Sequence, residues 1–140
     1  MTFQDRLAAV LGEVLPLTRE EDGALTVHHD GTIASLRVVH IADDLELVSL
    51  TQILAWDLPL DAKLRAAVAD HAHKTLLGTV SLAAKSGHKE VAAGAKRNSK
   101  KAADVLLRYN FPAAGLTDDA LRTLILMVLA NGSDVRRALI

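Results

Sequence analysis

Leu25-Thr26-Val27-His28-His29-Asp30-Gly31-Thr32-Ile33-Ala34-Ser35-Leu36 is the stretch on which the fold turns. Asp30-Gly31 is a hairpin dipeptide, because a two-residue turn needs residues that accept positive φ. Leu25 to His29 before it is strand-like, and Thr32 to Ile41 after it is β-branched and alternates in part. The segment therefore reads as a β-hairpin. A two-residue turn also fixes its register, with His29 opposite Thr32 and His28 opposite Ile33.

Upstream, Phe3, Leu7, Val10, Leu11, Val14 and Leu15 recur at helical spacing, with Thr2 as N-cap and Pro16 ending the pattern. Thr18 to Gly23 reads as a charged connector. Downstream, Ala42-Asp43-Asp44 reads as a second turn. Leu45 to Trp56 follows; Leu47, Leu50 and Leu54 also fit helical spacing, and the strand reading is preferred. Asp57-Leu58-Pro59-Leu60-Asp61 breaks that pattern and opens a helix whose apolar face is Leu64, Ala67, Val68, His71, Ala72 and Leu76, ending at Gly78. Thr79 to Ala84 and Asp104 to Phe111 read as strands, the second stopped by Pro112 and Gly115.

Thr117 followed by Asp118 and Asp119 is a good helix start, since the hydroxyl caps a free N–H and acids suit the positive helix end. Leu121, Leu124, Ile125, Val128 and Leu129 form its stripe, Asn131-Gly132 is expected to close it, and Ser133 to cap a last short turn carrying Val135 and Leu139. The expected order is α-β-β-β-α-β-β-α over one domain, residues 1–140. This is an α+β fold, an antiparallel β-sheet flanked by helices.

That order resembles the YbjN family and the wider type III secretion chaperone (Tir-chaperone-like) fold. Leu58-Pro59-Leu60 entering the middle helix, Val105-Leu106-Leu107-Arg108-Tyr109-Asn110-Phe111-Pro112 as the last strand, and Gly115-Leu116-Thr117-Asp118 opening the final helix carry the resemblance. It covers nearly the whole chain and rests on packing and turn features. The resemblance implies a helix-flanked sheet, frequent dimerisation, and protein binding of a chaperone-like or sensory-transduction-regulating kind. It brings no catalytic residues with it.

Composition narrows the chemistry. The 140 residues are 50% hydrophobic and 24% charged, with mean hydropathy +0.21, enough apolar surface for one core. Only 3% are aromatic (Phe3, Trp56, Tyr109 and Phe111), so the core rests on Leu, Val, Ile and Ala. Absence of cysteine excludes disulfides, thiolate metal sites and cysteine nucleophiles. A net charge of −1 gives no global field toward nucleic acid or an anionic membrane. The start Met1-Thr2-Phe3-Gln4-Asp5-Arg6 lacks the basic start and apolar run of a signal peptide, and the longest apolar runs, such as Leu124 to Ala130, fall short of a membrane span. A cytoplasmic protein without membrane contact is expected.

Six histidines invite a metal site, above all His28-His29-Asp30 with His40. Hairpin geometry argues against it: His40 lies about 23 Å along the strand from the turn pair and on the other face. His71 and His73 diverge on their helix, where a shared metal needs a spacing of about three or four. His71, on the apolar stripe, reads as a hydrogen-bonded histidine at the core edge. No cofactor or metal is expected.

Lys85 to Lys101 is locally basic, with Lys85, Lys89, Lys96, Arg97, Lys100 and Lys101 opposed only by Glu90. Lys96, Arg97, Lys100 and Lys101 could meet phosphates in a salt-dependent way, but no aromatic is interleaved for base stacking. A solvated loop is the preferred reading. Ser86-Gly87-His88-Lys89 matches S-x-x-K without the companion motifs of penicillin-binding enzymes, and Gly94-Ala95-Lys96-Arg97 is not a phosphate loop. The pairs Asp43-Asp44 and Asp118-Asp119 are explained by a turn and a helix start.

With no matched acid and base, an enzymatic role is not expected. The expected function is a non-enzymatic protein-interaction module acting as a homodimer, with a protein partner. Trp56, an aromatic anchor at the end of the third strand, and Leu126 and Met127, which make the final helix apolar on more than one face, are the candidate partner-binding residues. The alternative is a regulator that contacts nucleic acid through the basic loop.

Overall fold

A computed structural model of the chain describes residues 2–85 and 101–140. Among these residues the elements are α1 (Phe3–Gly12), β1 (Leu17–Arg19), β2 (Leu25–His29), β3 (Thr32–Ala42), β4 (Leu45–Pro59), α2 (Ala62–Lys74), β5 (Thr79–Ala84), β6 (Ala102–Pro112) and α3 (Asp118–Leu139). The strands form one six-stranded sheet in the order β1-β2-β3-β4-β6-β5, every pair antiparallel. The α+β class and the helix-flanked antiparallel sheet are as the sequence predicts.

The Asp30-Gly31 turn sets the register. Both residues have positive φ (47° and 84°), and His29 pairs with Thr32 and His28 with Ile33. Asp43-Asp44 is likewise a turn, with Asp44 at φ 63° and Ala42 paired with Leu45. The segment Leu45–Pro59 is a strand, flanked by β3 on one side and β6 on the other. Pairing on both sides explains why helical spacing in its leucines does not decide its state.

Each helix begins on a side-chain cap. Thr2 accepts from the Asp5 backbone N–H and the Asp5 carboxylate accepts from that of Thr2, both at 3.1 Å, a reciprocal capping box. Asp61 accepts from the Leu64 N–H at 2.8 Å and Thr117 from that of Ala120 at 3.1 Å.

All three helices lie on one face of the sheet. Leu7, Val10 and Leu11 of α1, Leu64 and Val68 of α2, and Leu121, Ile125, Val128 and Leu129 of α3 form one core with Leu25, Val27, Leu36, Leu50, Leu54, Val105 and Leu107 of the strands. Every second strand residue therefore enters the core, and its neighbours face the other way. No helix among the described residues is long and apolar enough to cross a membrane.

Five boundaries depart from expectation. α1 stops at Gly12, so Val14, 45% exposed, and Leu15 lie beyond it. The connector after α1 contains β1, three residues whose pairing with Leu25, Thr26 and Val27 makes them a strand, so the order is α-β-β-β-β-α-β-β-α. α2 ends at Lys74, capped by Thr75, and Leu76 is 88% exposed rather than on the apolar face. β4 continues through Asp57 to Pro59, and β6 runs from Ala102 to Pro112, because these ends pair with each other at Leu58–Ala103 and Pro59–Ala102. Finally, α3 does not close at Asn131-Gly132 but runs unbroken to Leu139, with Gly132 and Ser133 buried inside it.

Candidate functional site

The face of the sheet opposite the helices is left uncovered by the described helices. Cross-strand register arranges it in rows. One row runs His28, Ile33, Ile53, Leu106 and Ser81; the next runs Thr26, Ser35, Thr51, Arg108 and Thr79. Then come Arg37, Ser49 and Asn110, and after them Val39, Leu47 and Pro112. The sheet separates Ile33, Ile53 and Leu106 from the core, and each is half-buried. Toward the β3–β4 turn, Val39, Ile41 and Leu45 are exposed by 39%, 52% and 39%. The open face thus carries two apolar bands with a polar band between them. Apolar residues of both parities in β4 are the sequence signal for this surface, and alternation alone does not say which parity faces the helices.

At the far end of β4 the pairing with β6 shifts register between Ile53 and Ala55 and again between Ala55 and Leu58. Leu54 and Ala55 are therefore buried in succession, and Trp56 follows on the open side, 37% exposed. Asp57 holds a left-handed φ of 55°, which aspartate tolerates better than most residues. Its backbone N–H donates to the Asp104 carboxylate at 3.0 Å, and the Lys85 ammonium donates to both Asp57 and Asp104. Those bonds, Asp57 first, raise the Lys85 pKa. Lys85, the first cation of the basic segment, is thereby tied into the bulge.

A second polar cluster lies under α3. His29 Nδ1 is 2.6 Å from Ser133 Oγ and 4.0 Å from the Asp30 carboxylate. Serine, histidine and aspartate together suggest a catalytic triad, but the geometry fails twice. A triad places serine and acid on opposite ring nitrogens, whereas here both face Nδ1. Ser133 is also fully buried, out of reach of a substrate. The cluster instead ties the hairpin to the helix: Ser133 Oγ also donates to the His29 carbonyl at 3.2 Å, Thr32 Oγ1 donates to the same carbonyl at 2.6 Å, and Gln52 Nε2 donates to Thr32 Oγ1 at 2.8 Å.

The other candidate residues are spread out. His40 pairs with Glu46, far from the hairpin turn, and His71 and His73 sit on the last turn of α2. Among the described residues no three histidine or acid side chains converge as metal ligands. Leu126 is half-buried and Met127 is 51% exposed on the outer side of α3. Lys101 is exposed; Lys96, Arg97, Lys100 and the Ser86-Gly87-His88-Lys89 motif lie outside the described residues. Asp118 pairs with Arg6 of α1 at 2.8 Å and so ties the start of α3 to that helix, whereas Asp119 pairs with Arg122 at 2.7 Å within α3 itself.

No protein-family model matches the chain, and neither does any curated protein.

Proposed function

We propose that this chain is a non-enzymatic protein-interaction module of YbjN or secretion-chaperone type, acting in the cytoplasm as a homodimer, and that its client lies on the open face of the sheet. The observation that carries the reading is the row Ile33, Ile53 and Leu106, three aliphatic side chains in register on three adjacent strands and uncovered by the helices. Apolar groups grouped in this way on a surface mark interaction sites, where a buried apolar centre is rimmed by polar groups. Trp56, three residues along β4 from Ile53, is also exposed, and aromatic anchors of this kind carry much of the energy at interfaces. Self-association is supported by Met127 and Leu126 on the outer side of α3, apart from the client face.

The test is affinity capture from native lysate, with nuclease treatment, using the natural chain and Ile53→Thr. The expected result is a stoichiometric protein that resists nuclease and is strongly reduced with Ile53→Thr, while both chains remain folded. Capture that disappears with nuclease would favour nucleic acid and the Lys96, Arg97, Lys100 and Lys101 cluster instead. Sedimentation equilibrium of the chain and of Met127→Asp tests the homodimer, which the substitution is expected to weaken.

A further inference from the structure

We propose that the notch at the start of β5 is a carboxylate-binding subsite of the open face, with Arg108 as its anchor; the inference rests on the open-face reading above. Thr79 is the first β5 residue to pair, and its partner is Arg108. β6 continues past that point, its residues Tyr109 to Pro112 pairing with β4 on the other side. Where β5 has not yet begun, a cleft of about 500 Å³ is lined by Gly78, Thr79, Ser81, Arg108, Tyr109 and Asn110. Gly78 fixes its floor. At φ +90° it sits so close to β6 that a Cβ there would lie 2.8 Å from Leu107 Cδ2 and 3.0 Å from the Arg108 carbonyl oxygen.

The lining is one guanidinium among hydroxyls and an amide, with no carboxylate. Four other arginines are compensated by acids: Arg6, Arg19, Arg37 and Arg122 each hold one at 2.7–2.8 Å. Among the described residues no carboxylate lies within ion-pair distance of Arg108. A partner that covers this face without an acid would bury that charge uncompensated, a heavy penalty. A second copy packed face to face would have to break an existing bond to supply the acid, because among the described residues the carboxylates near this face are engaged: Asp57 and Asp104 by Lys85, Asp22 by Arg37, and Glu20 by the Thr26 hydroxyl. The occupant that fits is an extended segment of another protein with an aspartate or glutamate opposite Arg108. A guanidinium fork binds a carboxylate through two parallel hydrogen bonds, and Thr79, Ser81 and Asn110 offer further donors. Leu106 lies two residues along the same strand and face, so an aliphatic side chain two residues from the acid meets the apolar row.

The test uses the full chain, isotope-labelled for NMR and titrated at fixed ionic strength with three probes. These are a capped tripeptide of aspartate, threonine and leucine, its asparagine counterpart, and inorganic phosphate. The expected result is a saturating shift of the Arg108 Nε–H and of the Thr79 and Ser81 amides with the aspartate peptide. The asparagine peptide, Arg108→Gln and Arg108→Lys should each bind about ten-fold more weakly or worse, while Arg65→Gln on α2 leaves the titration unchanged. A drift that does not saturate, or one that Arg108→Gln shares, overturns the proposal. So does phosphate binding more tightly than the aspartate peptide, which would make the occupant a phosphorylated group. Client capture that depends on Ile53 but not on Arg108 would leave the open-face reading standing and overturn this subsite alone.

Discussion

Gly132, in the middle of α3, lies against the buried side chain of Gln52 on β4 so closely that a Cβ added to the glycine would stand 2.0 Å from Gln52 Oε1. Gln52 in turn donates to Thr32 Oγ1 at 2.8 Å and to the Leu129 carbonyl at 3.1 Å, joining helix, hairpin and central strand. Alanine is normally worth about 1 kcal/mol over glycine in a helix. Here the overlap outweighs that gain, and Gly132→Ala is expected to lower stability by about 1–3 kcal/mol, a cost of overpacking. Urea unfolding checks the value. Combining it with Gln52→Ala removes the overlap, so a double-mutant cycle should show a coupling of at least about 0.5 kcal/mol.

The α1 capping box predicts an acid-sensitive contribution. Hydrogen bonds from Arg19 and from the Thr2 backbone and hydroxyl lower the Asp5 pKa from 3.8 to about 2. The folded state therefore favours the ionised carboxylate, so its contribution is present above the ordinary pKa and is lost as pH falls through about 2. Asp5→Asn is expected to be less stable than the natural chain at neutral pH, the two converging near pH 2. Thr2→Ala, which removes the cap itself, should cost about 0.5–2 kcal/mol. Urea midpoints across pH 2–7, followed by circular dichroism, test both.

Local chemistry that is self-contained was legible in the sequence. Asp30-Gly31 dictates its turn and therefore the His29–Thr32 register, and Thr2 and Thr117 cap the helices that their neighbours begin. What failed depends on distant partners. Asn131-Gly132 has the chemistry of a helix stop, yet α3 passes through it because Gln52, eighty residues earlier, occupies the space a side chain would take. Leu17–Arg19 is too short to announce itself and is a strand only because Leu25–Val27 pairs with it. For the candidate site, Trp56 and Met127 were singled out in the sequence as candidate partner-binding residues, but Ile53 and Arg108 were not. Their significance lies in which parity of β4 and β6 faces the helices, and sheet pairing decides that.

The β4 bulge offers a test of backbone strain separate from charge. A residue without a short polar side chain pays roughly 1–2 kcal/mol to hold the left-handed φ of 55° at Asp57. Asp57→Ala should therefore be destabilising, and Asp57→Gly clearly less so although both lose the contact with Lys85. Equal losses for the two variants would show that the ion pair, and not the conformation, matters at this position. Differential scanning calorimetry of both variants measures the difference.

Ile53 and Leu54 are adjacent in sequence but lie on opposite sides of the sheet, and the pair separates what the two faces do. Leu54 is fully buried in the core, so Leu54→Ala is expected to cost about 2–5 kcal/mol through lost burial and the cavity left behind. Ile53 packs only among its neighbours on the open face, and Ile53→Thr keeps the β-branched shape that suits a strand, so its cost should stay under about 1 kcal/mol. If the open face is the interaction surface, affinity should follow the opposite order. Ile53→Thr should weaken client binding at nearly unchanged stability, whereas Leu54→Ala should lower stability while the fraction that remains folded binds normally. Paired urea unfolding and binding titrations on the two variants would reveal that crossing, and parallel losses in both quantities would mean that the open face has no binding role distinct from holding the sheet together.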